Sequence, residues 1–161
     1  MRSEQETIYA IERYADTVRR ICFVHLKSVD DTEDIFQEVF LKYALHSAAF
    51  VDATHEKAWL IRVTINACKD LLKNAFRNRS VSLDELAGLP DSRQEEYSDV
   101  LEAVLHLPAK YRDVVYLHYY EGYSAAEIGK ILRKNVNTVY TLLARARKQL
   151  KTTLGGDDDG E

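Results

Sequence analysis

Apolar residues recur at three- and four-residue intervals along almost the whole chain, and the strict alternation of a strand is nowhere sustained. That period predicts helices over about 6–28, 32–46, 54–79, 95–107, 108–121, 124–132 and 136–153. It lapses in SVSLDELAGLPDSRQEE, an acidic stretch containing Pro90 that reads as a linker. Pro108, the other proline, suits the first position of a new helix, where its missing N–H does no harm. The expected fold class is all-α: two small helical domains joined by a flexible linker, the C-terminal one a helix-turn-helix. The expected boundaries are 1–79, a linker over 80–95, 96–154, and an acidic tail over 155–161 that begins with the helix-stopping Gly155.

The helix-turn-helix rests on EGYSAAEIGKILRKNVNTVYTLLARARKQLK. Ser124 with Glu127 three residues on forms a capping box, opening a helix that turns Ile128, Ile131 and Leu132 inward. A short turn at Arg133-Lys134 follows, and Asn135 is placed to cap the next helix. There Val136, Val139, Leu143, Ala146 and Leu150 form the predicted core stripe, with Asn137, Thr138, Thr141, Arg145 and Lys148 on the opposite face. Small polar residues followed by cations is the layout of a recognition helix, whose first turns meet base edges and whose later turns meet phosphates. An ordinary amphipathic pair would also show a polar face. It would mix charge signs, however, whereas no acid occurs from Ile128 to Gly156 among seven Lys and Arg residues, Arg147 among them.

In DDTEDIFQEVFLKYAL, Ile35, Phe36, Val39, Phe40 and Tyr43 form a core stripe. Asp34, Gln37, Glu38, Leu41 and Leu45 share the other side, and two leucines among acids there point to a docking surface for a basic, partly apolar partner. In HEKAWLIRVTINACKDLLKNAFRNR the predicted core stripe is Trp59, Leu60, Val63, Ala67 and Leu71, while Lys69, Lys73, Arg77 and Arg79 gather toward the end. A basic helix beside the small-residue loop HSAAFVDAT suits single-stranded DNA, with Phe50 open to two readings, core residue or stacking platform. Trp59 reads as core.

The net charge of -4 conceals this segregation, with acids concentrated at 30–38, at 84–102 and in the tail. Hydrophobic residues make up 46% of the chain, enough for a core, but no run approaches the roughly 20 apolar residues of a membrane-spanning helix. MRSEQETIYAIERY lacks the order of a secretory signal, so the protein is expected in the cytoplasm, without direct membrane insertion. Cys22 and Cys68 lie in apolar helical patterns and read as buried thiols. No histidine pair has ligand spacing and no nucleophile stands beside a base, so neither a metal, a cofactor, a small-molecule substrate nor an enzymatic activity is expected.

DTEDIFQEVF, KAWLIRVTINACKDLL, LPAKYRDVVYLHYYEGYSAAEIGKIL and NTVYTLLARARKQL resemble, in that order, the conserved regions two and four of extracytoplasmic-function sigma factors. The resemblance covers nearly all of the chain apart from the linker and tail. It implies two helical domains that bind core RNA polymerase and promoter DNA without a cofactor, and regulation by an anti-sigma factor. Asp34, Gln37, Glu38 and Leu41 would then dock on the polymerase clamp helices. The loop around 47–55 with Phe50, followed by Asn66, Lys69, Asp70 and Lys73, would sit near the melted minus-ten element. Asn137, Thr138, Thr141, Arg145, Arg147 and Lys148 would face the minus-thirty-five element.

The chain departs from the family where a glycine is common and Arg133 stands, implying a turn with no need of a left-handed glycine. It departs again where basic residues are common and Tyr140 and Leu142 stand, implying lost phosphate contacts. Two rival readings of the same residues are a helix-turn-helix regulator that binds an operator by itself and an interaction protein that occupies polymerase without reading DNA. The first predicts tight DNA binding without polymerase, and the acid-free run counts against the second.

Overall fold

The computed structural model describes residues 1–78 and 99–154, in which every regular element is helical. Three helices form an N-terminal unit: α1 (Glu4–Leu26), α2 (Val29–Leu45) and α3 (Ala53–Asn78). Four more form a C-terminal unit: α4 (Asp99–Leu105), α5 (Ala109–Val115) running into a π-helical turn (Tyr116–Tyr120), α6 (Ala125–Leu132) and α7 (Val136–Thr153). Contacts between residues divide the chain into two compact units, meeting at Asp91–Ser92. The expected linker over 80–95, the tail over 155–161 and the side chains of Arg77 and Arg79 lie outside the described residues. No helix among the described residues is long and apolar enough to cross a membrane.

The starts of the helices follow from side-chain chemistry. Ser3 and Glu6 close a capping box on α1, and Ser28 Oγ accepts the Asp31 N–H at 3.2 Å to open α2. In the C-terminal unit, Ser124 Oγ accepts the Glu127 N–H at 3.1 Å while Glu127 accepts the Ser124 N–H at 2.8 Å. Asn135 caps α7 by accepting the Asn137 N–H at 2.7 Å. Pro108 sits one residue before α5, as the cap.

In the N-terminal unit all three helices pack on one another around Tyr14, Val18 and Cys22 of α1, Ile35, Val39, Phe40 and Tyr43 of α2, and Leu60, Ala67 and Cys68 of α3. Both thiols are fully buried, as expected. The α3 stripe is broader than predicted: Ile61, Thr64, Ile65 and Cys68 are buried beside the expected Leu60 and Ala67, and Trp59, Val63 and Leu71 pack only partly. A helix contacted by two partners buries more than one narrow stripe, and Thr64 tolerates this by donating its hydroxyl to the Leu60 carbonyl at 2.7 Å. Glu56, on the first turn of α3, accepts hydroxyl hydrogen bonds from Tyr43 at 2.6 Å and Tyr14 at 3.2 Å, tying all three helices together.

Three expectations for the C-terminal unit need correction. Val136, at the first position of α7, leaves its side chain exposed although its Cα lies close to Gly129 of α6, and Leu142 is buried in the core with Val139, Leu143 and Ala146. Leu142 is thus a packing residue, not a missing phosphate contact. Arg133 does adopt the left-handed conformation, at φ 58°, a geometry that costs a side-chain-bearing residue about 1–2 kcal/mol. The reason lies at Gly129, whose carbonyl accepts the Lys134 N–H at 2.8 Å and whose Cα faces the turn so closely that a Cβ would stand 2.7 Å from the Lys134 carbonyl oxygen. The glycine the turn needs is inside α6, and the strain falls on Arg133.

Burial, followed by the hydrogen bond and charge of Glu56, holds the Tyr43 hydroxyl well above the usual tyrosine range. A proton bound more tightly in the folded chain stabilises it fully below about pH 10, and that contribution is lost as the pH climbs further. Replacing Glu56 by Ala removes the carboxylate that accepts from the Tyr43 and Tyr14 hydroxyls and is expected to cost the N-terminal unit about 2 kcal/mol. Urea unfolding followed by circular dichroism measures this, and the decline of stability above pH 10 should be shallower in the variant because Tyr43 then loses its carboxylate partner.

Candidate nucleic-acid interface

Helices α5 and α6 both pack on α7, and the buried line Val139, Leu142, Leu143 and Ala146 fixes its rotation. Asn137, Thr138, Thr141, Arg145 and Lys148 consequently point outward together. Asn137, Thr138, Thr141 and Arg145 line an open groove of about 440 Å³ with Leu142, Lys134 from the turn and Lys110 from α5. No carboxylate borders it. Thr141 donates its hydroxyl to the Asn137 carbonyl at 3.0 Å, which leaves its oxygen lone pairs to accept from a base edge. A groove walled by three cations and floored by small polar groups suits a phosphate-edged ligand whose bases offer donors and acceptors.

Two residues stand differently from expectation. Arg147 lies about 200° round α7 from Arg145, outside the groove, and donates to Tyr119 Oη at 3.0 Å. Lys110 is in the groove and was not anticipated. It belongs to another helix, and only the packing of α5 on α7 brings it there. Tyr140, also exposed, shares the Arg147 side of the helix.

On α2, Asp34, Gln37, Glu38 and Leu41 are all exposed and form one line with Leu45, the two leucines at 60% and 59% exposure. The core stripe behind them is buried except for Phe36, which is half covered by the Arg19 guanidinium 4.0 Å above its ring. Glu38 pairs with Lys42 at 3.0 Å in solvent, an arrangement worth only a few tenths of a kcal/mol and easily exchanged for another cation. The negative potential here is strong enough to act on Asp31: burial first, then the Asp34 and Asp30 carboxylates, raise its pKa.

On α3, Asn66, Asp70 and Lys73 are exposed along one line, with Lys69 half-buried beside them. Phe50, in the loop between α2 and α3, is half-buried, with its ring 6.1 Å from that of Tyr43, 5.4 Å from His46 and 5.7 Å from Trp59. The structure sets it against the first half of α3, seven residues or about 10 Å before Asn66 along the helix. Phe50 thus packs partly on the core, with the Arg2 guanidinium 4.6 Å over its ring and the His55 ring 5.3 Å away. Among the described residues no group of three or more His, Cys, Asp or Glu side chains could hold a metal ion.

Residues 10–78 match the sequence profile of sigma-70 region 2, and residues 97–150 that of sigma-70, region 4. RNA polymerase sigma factor SigV of Bacillus subtilis is 30% identical over 142 residues, which span 86% of this chain and 85% of that protein. ECF RNA polymerase sigma factor SigL of Mycobacterium tuberculosis is 32% identical over 130 residues, 76% of this chain and 73% of that one. The fold is that of the sigma factor RpoE of Bartonella quintana, solved in complex with the anti-sigma factor NepR: TM-score 0.75, 20% identity, covering 96% of this chain and 99% of that one. The chain belongs to the extracytoplasmic-function (ECF) RNA polymerase sigma factors, bacterial DNA-binding transcription initiation factors.

Proposed function

We propose that the two units divide the work of promoter recognition. The N-terminal unit, 1–79, docks on core RNA polymerase through Asp34, Gln37, Glu38 and Leu41, and meets the melted minus-ten element with Phe50, Asn66, Lys69, Asp70 and Lys73. The C-terminal unit, 96–154, reads the minus-thirty-five element through Asn137, Thr138 and Thr141, with Arg145, Lys148 and Lys110 on phosphates. Arg147 serves as a more distant cation. The protein works in the cytoplasm, where polymerase and promoter are, and an anti-sigma factor holds it inactive, as NepR accompanies the structurally similar RpoE.

The observation that carries this reading is the carboxylate-free groove over α7, where polar side chains and cations share one outward face. Membership of the sigma family disfavours a regulator that binds an operator alone, since a single helix-turn-helix makes few contacts and needs polymerase to add more.

Charge reversal of Asp34 together with Glu38 should abolish co-purification with core polymerase while the helical circular dichroism spectrum stays unchanged, because neither side chain is in the core. Retention of polymerase at the wild-type level would remove that face from the interface.

Position along α7 should separate specificity from affinity. Replacing Asn137, Thr138 or Thr141 should change the sequences selected from a randomised minus-thirty-five library, each base contact being worth about 1–3 kcal/mol of discrimination. Arg145→Ala or Lys148→Ala should instead weaken all promoters alike and lower the salt dependence by roughly one counterion. A shift of selected sequence in Arg145→Ala with none in Thr141→Ala would reverse the orientation of the helix in the groove.

A further inference from the structure

The loop joining α2 to α3 is built of small residues, Ser47, Ala48 and Ala49, which have little side chain with which to pack themselves into one shape. It is held from outside, on two sides. On the α3 side, His55 donates its N–H to Asp52 of the loop at 2.9 Å, and its Nδ1 accepts the Val51 N–H at 3.0 Å. The other side is Arg2. Its N–H donates to the Ala44 carbonyl at 2.8 Å, and its Nη2 donates to the Ala48 carbonyl at 2.6 Å. The guanidinium carbon lies 4.8 Å from the centre of the Tyr43 ring and 4.6 Å from that of Phe50, two rings within 13° of parallel. The backbone just beyond is fixed in turn, because Ser3 and Glu6 close the capping box of α1.

We propose that Arg2 is a positioning residue for minus-ten recognition: it fixes the loop over 46–52 and the Phe50 ring in the shape that receives the melted strand. The inference rests on the reading that this loop faces minus-ten DNA. Tyr43 is buried in the core and hydrogen-bonded to Glu56, so a guanidinium spanning Tyr43 and Phe50 anchors the half-buried ring to the fully buried one. The same group reaches the loop backbone, and a compact ammonium offers no comparable fork that can contact two rings and a carbonyl together. A platform for splayed bases needs such preorganisation, since a loop free to take other shapes can re-form around other bases and so discriminates less among them.

Trp59 is the only tryptophan, and its ring is 4.6 Å from His46 and 5.7 Å from Phe50, so its fluorescence reports on this loop. The full chain carrying Arg2→Ala, Arg2→Lys or Phe50→Ala is compared with wild type for acrylamide quenching of Trp59 and for core polymerase binding. Each is then tested for selection from randomised minus-ten and minus-thirty-five libraries at two salt concentrations. Arg2→Ala should make Trp59 more accessible and relax minus-ten selection roughly tenfold, with polymerase binding, minus-thirty-five selection and salt dependence unchanged. Arg2→Lys should recover only part of the selectivity. If Phe50→Ala alters minus-ten selection and Arg2→Ala does not, the positioning role is wrong and the loop assignment stands; if neither does, the loop assignment fails and takes this role with it. A salt dependence lowered by roughly one counterion with Trp59 quenching unchanged would make Arg2 a direct phosphate contact instead. Equal loss of polymerase binding and of both selections would make it a folding residue only.

Discussion

Rotation of α7 about its own axis is the setting on which the carboxylate-free polar face depends. Val139, Leu142, Leu143 and Ala146 are all buried, and each larger apolar side chain among them contributes about 1.5–3 kcal/mol by leaving water. Turning the helix by one residue position, about 100°, would expose leucines and drive Thr141 or Arg145 toward the core, where an unpaired guanidinium is far more costly than any exposed methyl. The polar residues of the groove thus face outward as a consequence of what packs behind them. The same holds for α2, where burial of Ile35, Val39, Phe40 and Tyr43 turns Asp34, Gln37, Glu38 and Leu41 to solvent.

Charge completes what packing begins. From Ile128 to Gly156 seven cations occur without one carboxylate among them, a local concentration of positive charge that favours a polyanion. At the start of α2 the sign is opposite, and Asp31, its pKa raised first by burial and then by the Asp34 and Asp30 carboxylates, lies among them. Two surfaces of opposite sign on separate units suit a protein that must hold a basic protein surface and nucleic acid at the same time.

Helices, caps and the outward lines of α2 and α7 were legible in the sequence because each depends on residues three or four apart, and helical geometry alone places those together. The Ser124–Glu127 box and the Asn135 cap stand as read. Features set by contacts between elements were not legible. Lys110 joins the groove through the packing of α5 on α7, and Arg2 reaches a loop more than forty residues away in sequence. Val136 and Leu142 were misplaced because a single stripe at helical spacing does not reveal how wide the contact is or which side of the stripe it favours. The left-handed turn at Arg133 was hidden for a related reason: the close approach that demands it is made by Gly129, four residues earlier, and a glycine inside a helical pattern announces no turn.

Run-off transcription with purified core RNA polymerase and a library of bacterial promoter fragments tests the central claim most directly. The division of labour between the two units requires that the chain alone hold promoter DNA weakly, and that core polymerase with the chain start transcripts at a defined subset of fragments where core polymerase alone starts none. Tight, sequence-specific binding by the chain alone, with no polymerase-dependent initiation on any fragment, would contradict it.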